Sequence, residues 1–166
     1  MNAKFTAILF TLFVLIFSFQ KTHAQDNHFQ QEVNYTINVS LNDVKHELSA
    51  FEEIKYTNNS PIELPYLYFH IWPNAYKNNS TDLAKQLLES GDTKMYFADE
   101  KDLGYIDSLD FKVNGSTIKW EIDPKHIDIC KLFLEKPLQK GESITITTPF
   151  HVKLPSAEIS RLGHLH

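Results

Sequence analysis

The segment "EVNYTINVSL", residues 32–41, alternates without interruption: Val33, Tyr35, Ile37, Val39 and Leu41 fall on one side, Asn34, Thr36, Asn38 and Ser40 on the other. A period of two suits a half-buried strand, because successive side chains of an extended backbone point to opposite faces. "NDVK" then reads as a turn, and "HELSAFEEIKYTNN" resumes a weaker alternation through Leu48, Ala50, Ile54 and Tyr56. Together they form a hairpin, with Glu52, Glu53 and Lys55 expected mostly to face water and "NNSP", ending on Pro61, closing it.

The next strand, "YLYFHIW" at residues 66–72, places Tyr66, Tyr68, His70 and Trp72 on one face and Leu67, Phe69 and Ile71 on the other. Both faces are apolar or aromatic. A central core strand covered on each side is therefore expected, with Pro73 and Asn74 ending it, since proline cannot donate to the ladder. The alternative is an exposed aromatic platform for sugars or bases.

From Ser80 the period changes. "STDLAKQLLESG" sets Leu83, Ala84, Leu87 and Leu88 on one helical face, with Ser80 or Thr81 as N-cap, Asp82 in the first turn and Gly91 past the end. "VNG" ahead of "STIKW" signals a hairpin between strands carrying Leu109, Phe111, Val113 and Ile118, Trp120, Ile122. "HIDICKLFLEKPLQKGESITITTPFHVKLP" adds two more strands around "KPLQKGE". Six or more strands with one short helix make a mainly β, antiparallel domain, either a sandwich or a strongly curved sheet.

The start of the 166-residue chain is a separate unit. Lys4 precedes an almost unbroken apolar run to Phe19, and "THA" ends at Ala24 with small residues where a signal peptidase reads. Residues 1–24 are thus expected to be a signal peptide, cleaved before Gln25, sending the protein to the periplasm or the exterior. The run falls short of the roughly 20 apolar residues of a spanning helix, so no stable membrane anchor is expected. Residues 25–31 form a polar leader, and residues 32–166 the β domain.

Cleavage takes Lys4 and Lys21 from 16 basic residues set against 21 acidic ones. That acidic balance excludes nucleic acid as an expected partner, which needs a basic footprint. The single cysteine, Cys130, lies in an apolar strand-like run and is expected to be a buried inert thiol.

Eight histidines make metal binding worth testing. "HELSA", residues 46–50, has the His-Glu start of a zinc-protease helix, but Ala50 stands where the second ligand belongs and the segment reads as strand. His164 and His166 share a face if extended, which is half a coordination shell at most. His70 is expected to be a core histidine with a hydrogen-bonded ring, and His23 leaves with the signal peptide. Glu52 with Glu53, and Asp99 with Glu100, are read as solvated surface. With five glycines in the chain, none set in a phosphate loop, dinucleotide fingerprint or nucleophile elbow, those chemistries are not expected. Asn34, Asn38, Asn58 and Asn114 each head an Asn-x-Ser/Thr triplet. No catalytic, cofactor-binding or metal-ligating residue is assigned.

The order of segments is more informative than any one of them. "YTINVSLNDVKHELSAFEEIKYTNNS", then "ELPYLYFHIWPNAY", "GYIDSLDFKVNG" and "LEKPLQKGESITITTPFHVKLP", closing on "SRLG", resembles the N-terminal β domain of the membrane alanyl aminopeptidase family of gluzincin metallopeptidases. The likeness is to exported bacterial members and spans residues 32–163. It implies a saddle-like β domain ahead of a thermolysin-like catalytic domain. There a His-Glu-x-x-His helix and a later glutamate hold one zinc, whose water attacks the peptide carbonyl. None of those positions, nor a Gly-x-Met-Glu-Asn type motif, occurs in this chain, so no catalytic residue carries over. The resemblance further implies a β domain incomplete at its C-terminal end, with the parent's catalytic domain as partner and peptides as the parent's substrate. The alternative is a stand-alone secreted β-sandwich that binds glycan or protein through exposed Tyr and Trp side chains.

Overall fold

The computed structural model describes residues 29–165. The expected signal peptide, the first part of the polar leader and His166 lie outside the described residues. Nine strands, one α-helix and two 3-10 helices follow one another among those described. They form an antiparallel two-sheet β-sandwich with one short helix.

β1 (Glu32–Asn42) and β2 (Glu47–Thr57) make the expected hairpin, paired from Glu32↔Thr57 to Asn42↔Glu47 with no register shift. Asn42 sets its turn, its Oδ1 accepting from the Lys45 amide at 3.0 Å while His46 takes a φ of 57°. β2 pairs along its full length with β9 (Ser143–Lys153), whose far side takes β4 (Tyr105–Asp107) and β5 (Lys112–Val113). β6 (Ser116–Thr117) closes on β5 through Asn114 and Gly115, at φ 50° and 83°. Two consecutive positive φ values are the geometry an Asn-Gly hairpin turn supplies.

The second sheet has three strands in the order β3 (Leu64–His70), β8 (Ile129–Leu138), β7 (Trp120–Ile122). The strand expected to continue from Ile118 through Ile122 is broken: Ser116 and Thr117 pair in the large sheet, while Trp120 pairs with Leu132 in the small one. The chain thereby crosses the sandwich.

Between the sheets lies one core cluster of Ile54, Ile146, Phe111 and Ile118 against Leu67, Ile71, Cys130 and Leu132. Phe111 is packed edge-on to Trp120, ring centroids 5.4 Å apart. Each such fully buried large side chain contributes about 1.5–3 kcal/mol.

β3 departs from expectation. It is an edge strand rather than a central one, and only its Leu67, Phe69 and Ile71 side faces the core. Tyr66, Tyr68 and Trp72 are 40%, 60% and 61% exposed. After Ile71 the chain turns into a 3-10 helix, Trp72–Tyr76, and then α1 (Asp82–Glu89).

Thr81 caps α1, accepting from the Ala84 amide at 3.2 Å and donating to the Ala75 carbonyl at 2.7 Å. Gly91, at φ 88°, ends it. Ala84 is buried, whereas Leu88, expected on the same face, is exposed. No helix among the described residues is long and apolar enough to cross a membrane.

Candidate functional site

Of the histidines singled out in the sequence, the structure brings His46 and His164 together and stacks His70 elsewhere, on Trp72. His46 sits in the β1–β2 turn and Glu47 begins β2, so "HELSA" is extended rather than helical. The His46 ring stacks on His164, centroids 3.7 Å apart and 3° from parallel. His166 falls outside the described residues.

His70, expected in the core, is instead exposed and stacks on Trp72 at 4.7 Å. His151 lies between two carboxylates, its Nδ1 3.0 Å from Asp107 and its Nε2 3.6 Å from Glu47. Among the described residues no three His, Cys, Asp or Glu side chains are grouped so as to hold a metal ion. Cys130 is fully buried, and burial pushes its thiol up to about 11.

Two surface features lie where sequence reasoning did not place them. On the outer face of the small sheet, Tyr66, Tyr68, His70 and Trp72 follow one another at alternate positions. Pairing sets Phe133 beside Tyr66 and Lys131 beside Tyr68. The Lys131 ammonium stands 3.8 Å from the Tyr66 ring centroid and 5.0 Å from that of Phe133, and Lys119 stands 4.8 Å from Phe133. These are cation–π distances, and each cation lies over ring surface that would otherwise meet water. Tyr66 and Tyr68 meet edge to face, 69° apart, so the row is ridged rather than flat.

The second feature is a cleft of about 630 Å³ between the sheets, open beside β1 and β3 and lined by residues including Tyr35, Glu52, Tyr56, Phe69 and Trp72. Glu52 was expected to face water. It shares the inward side of β2 with Ala50, Ile54 and Tyr56, opposite Ile37 on β1 and Thr148 on β9. Burial raises its pKa, and no hydrogen bond or ion pair to a described residue meets the carboxylate. The alternation itself gave the signal, since position 52 has the same parity as Ala50 and Ile54.

Two asparagines hold the loops around these features. Asn58, fully buried, donates from Nδ2 to the carbonyls of Ile62 and Leu138, each at 2.9 Å, and accepts at Oδ1 from Ser60 Oγ at 2.6 Å. Asn74 donates to the Ile127 carbonyl and accepts from the Ile106 amide, both at 3.1 Å. Of the four glycosylation triplets named, that of Asn58 is therefore closed off, while Asn34, Asn38 and Asn114 are exposed.

No protein-family profile matches the chain. No curated protein matches it either. Among solved structures, a two-domain M1 zinc metallopeptidase, crystallised as a mutant bound to L-arginine, is similar at 10% identity with a TM-score of 0.45; the match covers 77% of this chain and 22% of that one.

Proposed function

We propose that this chain is the N-terminal, non-catalytic β domain of an exported zinc-dependent aminopeptidase, a scaffold against which a catalytic domain packs. What supports this is the segment order on which the resemblance rests, each segment spanning consecutive elements of the fold. "YTINVSLNDVKHELSAFEEIKYTNNS" is the β1–β2 hairpin, and "ELPYLYFHIWPNAY" is β3 with its 3-10 exit. "GYIDSLDFKVNG" runs from β4 to the β5–β6 turn, and "LEKPLQKGESITITTPFHVKLP" runs from late β8 through β9. In this proposal zinc and the peptide substrate belong to the catalytic domain.

Two measurements test it. Reading the coding sequence past codon 166 should reveal a His-Glu-x-x-His segment followed by a glutamate. The chain purified alone should release no amino acids from peptides and retain no stoichiometric zinc. Tight zinc with hydrolysis by this chain itself would refute the scaffold role.

A second possibility is favoured by the exposed row of Tyr66, Tyr68 and Trp72: a secreted module that binds glycan or protein through that face. Here Trp72→Ala should abolish capture of a glycan or protein ligand without altering the melt. A Trp72→Ala variant that binds as the parent does would dismiss it.

A further inference from the structure

Sheet edges expose unpaired backbone groups, and proteins blunt them with short strands, prolines, bulges or charges. Most edges among the described residues follow that rule. β4 and β7 have three residues each and β6 has two. β3 carries Pro65 and a register shift between Leu64 and Tyr66.

β1 does not. It is the outer strand of the large sheet, paired with β2 along all 11 of its residues, and its one charged side chain is Glu32 at the start. Its inward residues are uncovered: Tyr35 is 61% exposed, Ile37 49%, Val39 58% and Leu41 62%. What β1 offers a partner is its long, unprotected backbone edge, flanked by these side chains.

The pattern of β1 also specifies what pairs with it. An antiparallel strand centred opposite Ile37 keeps side-chain parity, because odd positions then meet odd ones. A second β1 in that register sets Tyr35 against Val39, Val33 against Leu41, Thr36 against Asn38, Asn34 against Ser40 and Glu32 against Asn42. Apolar side chains meet apolar ones, uncharged polar ones meet their like, and no like charges oppose. A register centred between two residues would instead set apolar against polar side chains throughout. Of the parity-keeping registers, the one centred on Ile37 pairs the whole strand.

We infer that two copies of this chain join through β1, antiparallel about a two-fold axis at Ile37, into one continuous sheet. Parity places both small sheets on the same side, so the joined β1 strands become an apolar floor between them. Edge pairing covers the two backbone edges and the flanks of the side chains but leaves the inward stripe open, so the buried area falls below the roughly 800 Å² per partner of a standard interface and association is weak. This inference rests on the β1 edge alone and is independent of the aminopeptidase proposal.

The test is sedimentation of the full chain from low micromolar to several hundred micromolar, with a monomer–dimer equilibrium expected. Ile37→Lys sets two ammonium groups against each other at the axis and should leave monomer only, with an unchanged circular dichroism spectrum. Should that variant not fold, cysteine cross-linking decides. Ile37→Cys should cross-link to itself with a short dimaleimide. Tyr35→Cys alone should not, because its copies stand about 13 Å apart along the strands, whereas a mixture of Tyr35→Cys and Val39→Cys should. Cys130, fully buried, stays silent. A monomer at every concentration, a dimer that survives Ile37→Lys in folded protein, or self-linking by Tyr35→Cys but not by Ile37→Cys would overturn the inference.

Discussion

Nδ1 of His126 lies 2.6 Å from Oδ2 of Asp82, joining the first turn of α1 to the loop that feeds β8. The contact draws Asp82 below the ordinary carboxylate value, with the His126 hydrogen bond as the first cause and Lys85, 3.3 Å away, as the second. A carboxylate with a depressed folded-state pKa adds stability above its unfolded pKa and loses it as the pH falls through the folded one. The contribution of Asp82 should therefore be full at neutral pH and vanish at strongly acid pH. Urea midpoints of the parent and Asp82→Asn, compared from pH 6 to pH 2.5, should differ at the upper end and converge at the lower. Because the pair is exposed, the difference should be small and shrink further in salt.

Asn58 carries a larger share of stability. Its side chain meets the carbonyls of Ile62 and Leu138 and the hydroxyl of Ser60, with no solvent to replace it. Asn58→Ala should cost about 1–3 kcal/mol in urea unfolding, the cost of leaving the buried Leu138 carbonyl without the Asn58 donor. In a glycosylating host, mass spectrometry should find glycan at Asn38 and none at Asn58.

Alternation in residues 32–41 disclosed the strand but not what lies opposite it. Periodicity reports which side chains share a face, and says nothing of whether a second layer reaches them. The same limit explains β3. Two apolar faces suggested two covered faces, yet Tyr and Trp carry polar atoms that tolerate water, and Lys131 on β8 shields Tyr66 across the strand pair and Phe133 on its own strand.

Glu52 was legible by parity and was misplaced because charge was weighed above position. The crossing at Ile118 left no trace, since a strand that changes sheets keeps its period. Asn58 and Asn74 lie in turn-like stretches, and their hydrogen bonds to Leu138, Ile127 and Ile106 reach 80, 53 and 32 residues along the chain. The Asn114-Gly115 turn and the Thr81 cap were readable because both depend on local backbone chemistry alone.

Trp72 and Phe111 separate surface from core by experiment. Trp72→Ala removes a ring that is 61% exposed and should change stability by less than about 1 kcal/mol. Phe111→Ala empties a site that is 1% exposed, between Phe69 and Trp120, and should cost about 3–5 kcal/mol. Equal losses from the two would mean that the outer face of β3 is covered in solution.

Cys130 gives a direct readout of core integrity. It is the single cysteine, is fully buried, and has its thiol pushed up to about 11 by burial. Thiolate is the reactive species, so at pH 8 burial and the raised pKa suppress alkylation together. Iodoacetamide should leave the native chain unlabelled over hours and label one equivalent promptly in urea. Labelling should follow the unfolding transition reported by the Trp120 ring, which packs against the same cluster. Prompt labelling of the native chain would place Cys130 at a surface and remove it, with its neighbour Leu132, from the core.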